Sequence, residues 1–590
     1  MSTLTATSAT ATKQVLTFFL AAMLIAVCVC TVNSACALAP YTGVVRITAD
    51  GTVEGTDKIS RNGNVYTLTG DLSGSVEDGN YLISIEKDNI VFDGAGKTIQ
   101  GTNSGTAIIV RGKTDITIMD TRIINFGTGI ELRGFDWDLN TTASNNRVID
   151  NYFETKYWGV DFGVNNGFVS GNTFVSKNSL YGVIMQANQT SFTDNAFLNG
   201  GLVLYDPGVG NVFSGNTING KPLIVLEGQS SQVVDDANQV ILFNCKDMVI
   251  QNVNDLGLRM PVMLFGTSNT KISNCKTSIT LIDSNSNTLI DNDLSETGSP
   301  VNYNDASIEL QNSHNNTLTQ NIVKASGCNG ILLSGSAYNK IEKNVITSTG
   351  ADKAGIRLEL AGCEYNYIYE NSITSEVYGV YLRGGAENNV VFKNVVNQCK
   401  NGFFMICSRN NDFLANHISG SSEYAVNMGG SDFNRFFWNN FEGNTKVNEN
   451  HQMYWWFFQN DTYYAEYNMY DNGREGNYWS DYTGSDTNGD GIGETPYHIY
   501  ENFTDNYPLT TPYDTSTVQV DFKQWNPQTP TNTSPPTPTG TPQITITPTE
   551  NNGSSESFPV APAVVAAGTV FILGSAVLLW HIKKPRRGLN

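Results

Sequence analysis

Asp486, Asn488 and Asp490 stand at alternate positions and are followed by Gly491, Ile492 and Glu494. Side-chain oxygens at positions 1, 3 and 5, a glycine at 6 for the bend, a backbone carbonyl at 7 and a carboxylate at 9 reproduce most of a calcium loop of the EF-hand kind. Position 12 departs from that pattern: it is Tyr497 instead of a bidentate glutamate, and no amphipathic helix flanks the loop. The spacing predicts a structural Ca2+ turn, with Asp481 or Asp505 as the source of the missing carboxylate.

A second pair of carboxylates invites a catalytic reading. Glu131 and Asp161 hold equivalent places in Gly129-Ile130-Glu131-Leu132 and Gly159-Val160-Asp161-Phe162. Stacking of those units would bring the two groups close enough for an acid and nucleophile pair acting on a glycosidic bond. Carboxylates on a solvated strand face are more often simply solvated, and Asp235-Asp236 has no matching histidine. No catalytic residue is therefore assigned. Cys245, Cys275, Cys328, Cys363, Cys399 and Cys407 fit no CxxC metal pattern. They either pair as disulfides or stack as buried free thiols.

The elements that must position these residues come from a repeat. One phrase recurs: Asn, an apolar residue two on, Asn five on, an apolar residue seven on. It reads Asn316/Leu318/Asn321/Val323, Asn339/Ile341/Asn344/Ile346, Asn366/Ile368/Asn371/Ile373 and Asn389/Val391/Asn394/Val396, with further copies from Asn146 to Phe441. From Asn321 to Asn439 the second asparagines lie 23, 27, 23, 22 and 23 residues apart. Ahead of most copies stands a short period-2 strand led by glycine, as in Gly330-Ile331-Leu332-Leu333, Gly355-Ile356-Arg357-Leu358 and Gly379-Val380-Tyr381-Leu382. A unit this short cannot bury its apolar side alone, so the coils must stack and share a core. At strand spacing, about 13 coils give a stack of roughly 60 Å. Asparagine suits the corners because it tolerates a left-handed backbone and its amide can bond the next coil. Helical-hairpin repeats are excluded by the crowding of Asn, Gly and β-branched residues.

Stacking also creates columns on the outer face. The residues between and just after each apolar pair point outward, which places Arg357, Tyr381 and Phe404 in one column and Glu359 and Arg383 beside them. Rings offer a surface to the C–H face of a sugar, and the charged groups can bond its hydroxyls or a uronate. Arg357, Glu359, Tyr381, Arg383 and Phe404 are the predicted carbohydrate-binding residues.

Three stretches resemble a known family, the NosD/PbH1-type right-handed parallel β-helix proteins, especially archaeal cell-surface members. They are Val91-Phe92-Asp93-Gly94-Ala95-Gly96, then Asn219-Gly220-Lys221-Pro222-Leu223 with Gln239 to Cys245, and Gly476-Asn477-Tyr478-Trp479-Ser480-Asp481-Tyr482 through Asp505-Asn506-Tyr507-Pro508-Leu509. The resemblance spans about residues 45 to 513 and implies an all-β, right-handed parallel β-helix. It also brings in copper, as the family's namesake association. Soft-metal sites need clustered His, Cys or Met, but His314, His417, His451 and His498 are scattered, and Met405 and Met428 fall on inward strand positions. A polysaccharide lyase or hydrolase is the alternative reading, and copper handling the third. β-Helices also host pectinases and lyases, but the polygalacturonase pattern of paired Asp with Gly-His-Gly and Arg-x-Lys is absent.

The two ends read as membrane signals. Residues 1–37 form a signal peptide cleaved after Ala37. An N-terminal cap and first coil follow over 38–100, the repeats over 101–450, and a C-terminal cap over 451–513, where Tyr454 to Phe458 close the open end. A Thr/Pro-rich stalk over 514–557 leads to a transmembrane helix over 558–582 and a basic cytoplasmic tail over 583–590. Sequons at Asn140, Asn188, Asn315, Asn460, Asn502, Asn532 and Asn552 are compatible with an outward-facing glycoprotein. With 56 Asp and Glu against 35 Lys and Arg, the chain lacks the basic footprint of a nucleic-acid binder. The expected protein is anchored at the cell surface and binds glycans or other envelope components without catalysis.

Overall fold

In the computed structural model, residues 45–136, 141–176, 182–204, 208–254, 262–295, 306–444, 447–450, 468–500 and 503–517 are described. The expected signal peptide, the Tyr454 to Phe458 run, nearly all of the expected stalk and the expected transmembrane segment lie outside them. All the described residues fall within one compact unit, residues 1–518.

They form a parallel β-solenoid of about 15 turns. Each turn contributes one short strand to each of three faces, in register with the turn before. On the first face, Ala306–Gln311, Asn329–Ser334, Ala354–Glu359, Tyr378–Arg383, Asn401–Ile406 and Tyr424–Gly429 pair in parallel. Ile331, Ile356, Val380, Phe403 and Val426 line up inward and are fully buried. The second face stacks Leu318, Ile341, Ile368, Val391, Phe413 and Phe436, and the third stacks Val323, Ile346, Ile373, Val396, Ile418 and Phe441. Identical positions meet on consecutive turns, so like side chains pile up: Phe153, Phe174 and Phe197 stack at 5.0 and 4.9 Å. Met405 and Met428 fill the core as their inward positions predict.

Asparagine ladders hold the corners. At the turn between the second and third faces, Asn321 donates its backbone N–H (3.0 Å) and its Nδ2 (2.9 Å) to Oδ1 of Asn344, and Nδ2 also donates to the Leu289 carbonyl. The same set of bonds passes on through Asn371, Asn394, Asn416, Asn439 and Asn477. A second ladder runs from Asn287 through Asn316, Asn339, Asn366, Asn389, Asn411 and Asn434 to Asn468. A third, of hydroxyls and thiols, links Cys245, Thr267, Ser284, Ser313, Ser336 and Cys363.

These ladders correct one part of the sequence reading. The ladder asparagines do not adopt the left-handed backbone; from Asn316 to Asn434 at one corner and from Asn321 to Asn439 at the other, the residue before each one does. Those positions are Asn315, Tyr338, Tyr365, Asn388, Asn410 and Phe433 at one corner, and Gln320, Lys343, Glu370, Lys393, Ala415 and Trp438 at the other. The asparagine is selected for its amide, which satisfies buried backbone groups on both neighbouring turns. The leading glycines are likewise not turn residues. Gly330 lies within Asn329–Ser334, and a Cβ there would sit 2.5 Å from the Gly355 carbonyl of the next turn.

The stack contains one dislocation. Thr217–Ile218 folds back antiparallel on Lys221–Glu227, which then starts a new series of parallel rungs. The second-face ladder ends at Val212–Ser214 and resumes at Val233–Asp235, and the buried core divides there into two clusters. At the far end, Asp505 occupies the place of the next ladder asparagine. Its Oδ2 accepts from Asn477 N (2.7 Å) and Trp479 Nε1 (2.9 Å), and burial pushes the carboxyl up to about 6.

The ladder makes a contrast testable by chemical denaturation. Asn344→Ala should cost about 2–4 kcal/mol, because it strands buried donors on Asn321 and the Leu318 carbonyl. Lys343→Gly, one residue earlier, relieves a left-handed side chain and should leave stability unchanged or raise it by up to about 1 kcal/mol.

Candidate functional site

The register assembles the five predicted sugar-binding residues. Arg357 pairs with Tyr381 and Tyr381 with Phe404 across neighbouring rungs, and Glu359 pairs with Arg383 in the adjacent column. The Arg357 guanidinium lies 5.0 Å from the Tyr381 ring centre and donates to Glu359 at 2.8 Å. The Tyr381 and Phe404 rings meet at 4.9 Å. Exposure separates these residues. Tyr381 is only 4% exposed and Arg357 8%, whereas Glu359, Arg383 and Phe404 are half-exposed. Tyr381 is overlaid by Tyr378, which also stacks on Phe404 at 4.5 Å and 12°. Burial pushes the Tyr381 phenol up from its ordinary value. The surface reachable by a ligand is therefore Phe404, Tyr378, Arg383 and Glu359, and the remaining pair supports it from below. Tyr378 escaped the sequence reading because it precedes the glycine of its strand, outside the two columns traced there.

Glu131 and Asp161 also meet across neighbouring rungs of the first face. They do not stand as a bare pair. Arg133 bonds Asp161 at 2.6 Å and approaches Glu131 at 3.5 Å, and Arg111 reaches Glu131 at 3.2 Å. Burial pushes the Asp161 carboxyl up to about 6, against the pull of Arg133. Arg111 and Arg133 share one column, just after the apolar pairs Ile108/Val110 and Ile130/Leu132. It is the column that holds Glu359 and Arg383 on later turns, but it was not followed back to these in the sequence.

The acidic loop docks on the end of the solenoid. Asp486 accepts from the backbone N–H groups of Gly489 (2.6 Å) and Gly491 (2.8 Å), Asn488 from that of Asp490, and Asp490 from that of Ile492. Glu494 turns back to accept from Thr487 N and Oγ1, and these bonds hold its carboxyl below the usual range. The carbonyl of Gly491 accepts from Thr510, and Ile492 bridges Leu509, which in turn bridges Tyr478 of the last turn. Neither expected extra ligand faces the loop: Asp481 accepts from the Tyr497 hydroxyl at 2.9 Å, and Asp505 closes the asparagine ladder. Tyr497, at the position of the absent glutamate, stacks on Trp479 at 4.6 Å.

The cysteines are structural. All six described cysteines are free, and five are buried. Desolvation pushes the thiols of Cys275 and Cys363 up to about 11 and that of Cys399 up to about 12. Cys245, Cys275, Cys363 and Cys399 donate to backbone carbonyls at the corners. Protonated thiols fixed in this way are not a soft-metal donor set, and among the described residues no three His, Cys, Asp or Glu side chains converge as metal ligands. Nor, among the described residues, is any helix long and apolar enough to cross a membrane.

A chain whose coils stack in this way is a parallel β-helix protein of the right-handed type. Within that class, residues 238–401 match the NosD family, described as periplasmic copper-binding protein. The matched stretch begins just past the dislocation. The buried, carbonyl-bonded cysteines of the described residues do not fit copper as a donor set. No curated protein matches the chain. Among solved structures, a mutant tailspike protein of E. coli bacteriophage HK620 in complex with hexasaccharide is 11% identical over 57% of this chain and 68% of that one, with a TM-score of 0.23. A periplasmic alginate epimerase is 12% identical over 68% and 80%, with a TM-score of 0.20. The A-module of the Azotobacter vinelandii mannuronan C-5 epimerase is 10% identical over 65% and 87%, with a TM-score of 0.20.

The Asp161 environment has a pH signature. A carboxyl raised to about 6 in the folded chain, above about 3.9 unfolded, binds its proton more tightly when folded. Its contribution to stability is therefore fully present below about pH 4 and is lost as pH rises through about 6. The unfolding free energy of the wild type relative to Asp161→Asn should rise as pH falls from about 7 to about 4.5, as read from denaturant titrations at each pH.

Proposed function

We propose that the solenoid is a binding surface for glycans or glycan-bearing envelope components, exposed outside the cell and working without catalysis. The observation that carries this reading is the half-exposed group on the first face, where the stacked rings of Tyr378 and Phe404 lie beside Arg383 and Glu359. Ring edges and faces offer apolar contact to sugar C–H groups, and a guanidinium beside a carboxylate offers both donors and acceptors to hydroxyls. The side chains stand on strands in a continuous ladder, so little conformational entropy is lost on binding. An anchored, outward-facing chain would present this face to its surroundings.

A second reading, cleavage of an acidic polysaccharide, is favoured by one observation: Glu131 and Asp161 stand on adjacent rungs, and Asp161 is raised towards neutrality. One experiment separates the two. The full chain is applied to an array of neutral and uronate-containing glycans, with chromatography of any released products. Binding without products supports the first reading, and products lost in Asp161→Asn support the second. Under the first reading, Phe404→Ala combined with Arg383→Ala should weaken retention at least about tenfold, equivalent to about 1.4 kcal/mol, while the melting temperature moves little. Tyr381→Ala, deeply buried, should instead lower stability by about 3–5 kcal/mol. Retention unaltered in the folded double variant would remove this site.

We further propose that the loop of Asp486, Asn488, Asp490, Ile492 and Glu494 holds a structural Ca2+. Its oxygens belong to one nine-residue turn that fastens the final strand through Gly491 and Ile492. Binding requires the carboxylates to exchange backbone N–H partners for the ion. Millimolar calcium should then raise the melting temperature through preferential binding to the folded form. Asp486→Ala with Asp490→Ala should remove that gain, and an equal response in both proteins would refute the metal assignment.

A further inference from the structure

At the corner between the first and second faces, asparagine is the commonest residue at the left-handed position: Asn145, Asn166, Asn269, Asn315, Asn388 and Asn410 all hold φ between 52° and 62°. Asparagine is the side chain that bears this backbone best after glycine. Two consecutive turns instead place tyrosine there, Tyr338 at 58° and Tyr365 at 54°. A bulky ring in that region is unusual; Phe433, at 56°, also stands at this corner, and Tyr338 and Tyr365 are distinguished by standing on consecutive turns. The two rings stack on each other at 5.1 Å and 11°, and Tyr338 remains 53% exposed. Tyr365 covers the Tyr338 face towards the next turn. The opposite face looks along the stack towards the preceding turn, where the equivalent residue is Asn315 and the rungs are held in register by Thr317 with Lys340. Asn315 donates its backbone N–H to the Ala337 carbonyl at 3.1 Å, immediately beside Tyr338.

Asn315-Asn316-Thr317 is a sequon. Asn315 is exposed, Thr317 is half-exposed, and the Asn315 carboxamide makes no hydrogen bond to a described residue. Asn188, the other sequon asparagine among the described residues, is situated differently. Its Oδ1 accepts from Val209 N at 2.7 Å, its Nδ2 donates to Asn165, and its partner Thr190 is fully buried.

We propose that Asn315 carries an N-linked glycan whose first sugar rests on the open face of the Tyr338 ring. The inference rests on the reading of the chain as outward-facing. Attachment requires a polyprenyl-phosphate- or pyrophosphate-linked oligosaccharide as donor. The Asn315 amide nitrogen bonds to the anomeric carbon, the bond from that carbon to the phosphate oxygen breaks, the amide loses one proton, and the polyprenyl phosphate, or pyrophosphate where that is the donor, leaves. Neighbouring rungs sit about 4.8 Å apart. A sugar extending from Asn315 can therefore lie against Tyr338 at van der Waals distance, with its C–H face on the ring. The Tyr365 ring backs that shelf.

The test uses the full chain purified from the cells that make it. Glycopeptide mass spectrometry should find sugar on Asn315, and Asn315→Gln should lose that modification while retaining any at other sequons. The glycan should raise the melting temperature by about 1–3 °C. In Tyr338→Asn, which restores the residue usual at this corner and so keeps the fold, that difference between glycosylated and Asn315→Gln chains should vanish. A bare Asn315 in a chain glycosylated elsewhere overturns the inference and leaves the outward reading intact. A stabilising Asn315 glycan that is indifferent to Tyr338→Asn overturns the shelf. A chain with no glycan anywhere, shielded from protease added to whole cells, overturns the outward reading and this inference with it.

Discussion

The structure depends on the hydrogen bonding of a buried carboxamide. Each ladder asparagine donates from its backbone N–H and its Nδ2 to the next turn, returns a second Nδ2 bond to a carbonyl on an earlier turn, and accepts two bonds on its Oδ1. A corner in a solenoid removes backbone groups from strand pairing and buries them, and an unpaired buried N–H or C=O costs on the order of 1–3 kcal/mol. One residue type meets both demands in the space of a turn, because asparagine has a short stem with a donor and an acceptor at its end. The third ladder, along Thr267, Ser284, Ser313 and Ser336 to Cys363, does the same in a column of its own with fewer donors.

Much of this was legible in the residues. The spacing of the Asn phrases defined the turn length, the period-2 strands defined what faces inward, and the alignment of Arg357 over Tyr381 and Tyr381 over Phe404 followed from one residue per rung. Three things were not legible. Asn315 and Asn316 are the same residue type, and only the backbone shows that the first bends while the second bridges. The role of Gly330 depends on a carbonyl 25 residues further along the chain, a distance that no local pattern encodes. The burial of Tyr381 depends on Tyr378, whose ring crosses from outside the repeat's outward columns. The dislocation near Lys221 was also hidden, because Asn211/Phe213/Asn216/Ile218 keeps the repeat phrase intact up to the residue before the chain reverses.

The candidate sites differ in how the ladder treats their charges. On the first face a column of arginines stands beside a column of carboxylates, and diagonal contacts join Arg111, Glu131, Arg133 and Asp161 into a continuous chain. In such an arrangement any one charge is answered by its neighbours above and below, so a pair of acids aligned by the repeat is not by itself a reactive pair. The acidic loop is different, since its carboxylates are occupied by N–H groups of their own turn and not by cations. Its position, clasping the Pro508 to Thr510 segment to the last turn, makes its folding a condition for closing that end.

Every asparagine-to-asparagine bond in the ladder from Asn321 to Asn477 points the same way, with hydrogens directed towards the C-terminal end. Such a column has polarity, and its last member meets only donors. Asp505 suits that place because a carboxylate accepts and has no amide with which to continue the series. A repeat lattice of this kind has no internal reason to stop: a further coil, or the first turn of a second molecule, would otherwise find a register already prepared for it. Exchanging one carboxamide for a carboxylate removes that invitation at the level of a single atom. At this corner the end of the series is thereby written into its terminal residue, and, although the neighbouring ladder still closes on Asn468, one of the two asparagine columns is withdrawn as a template for end-to-end growth.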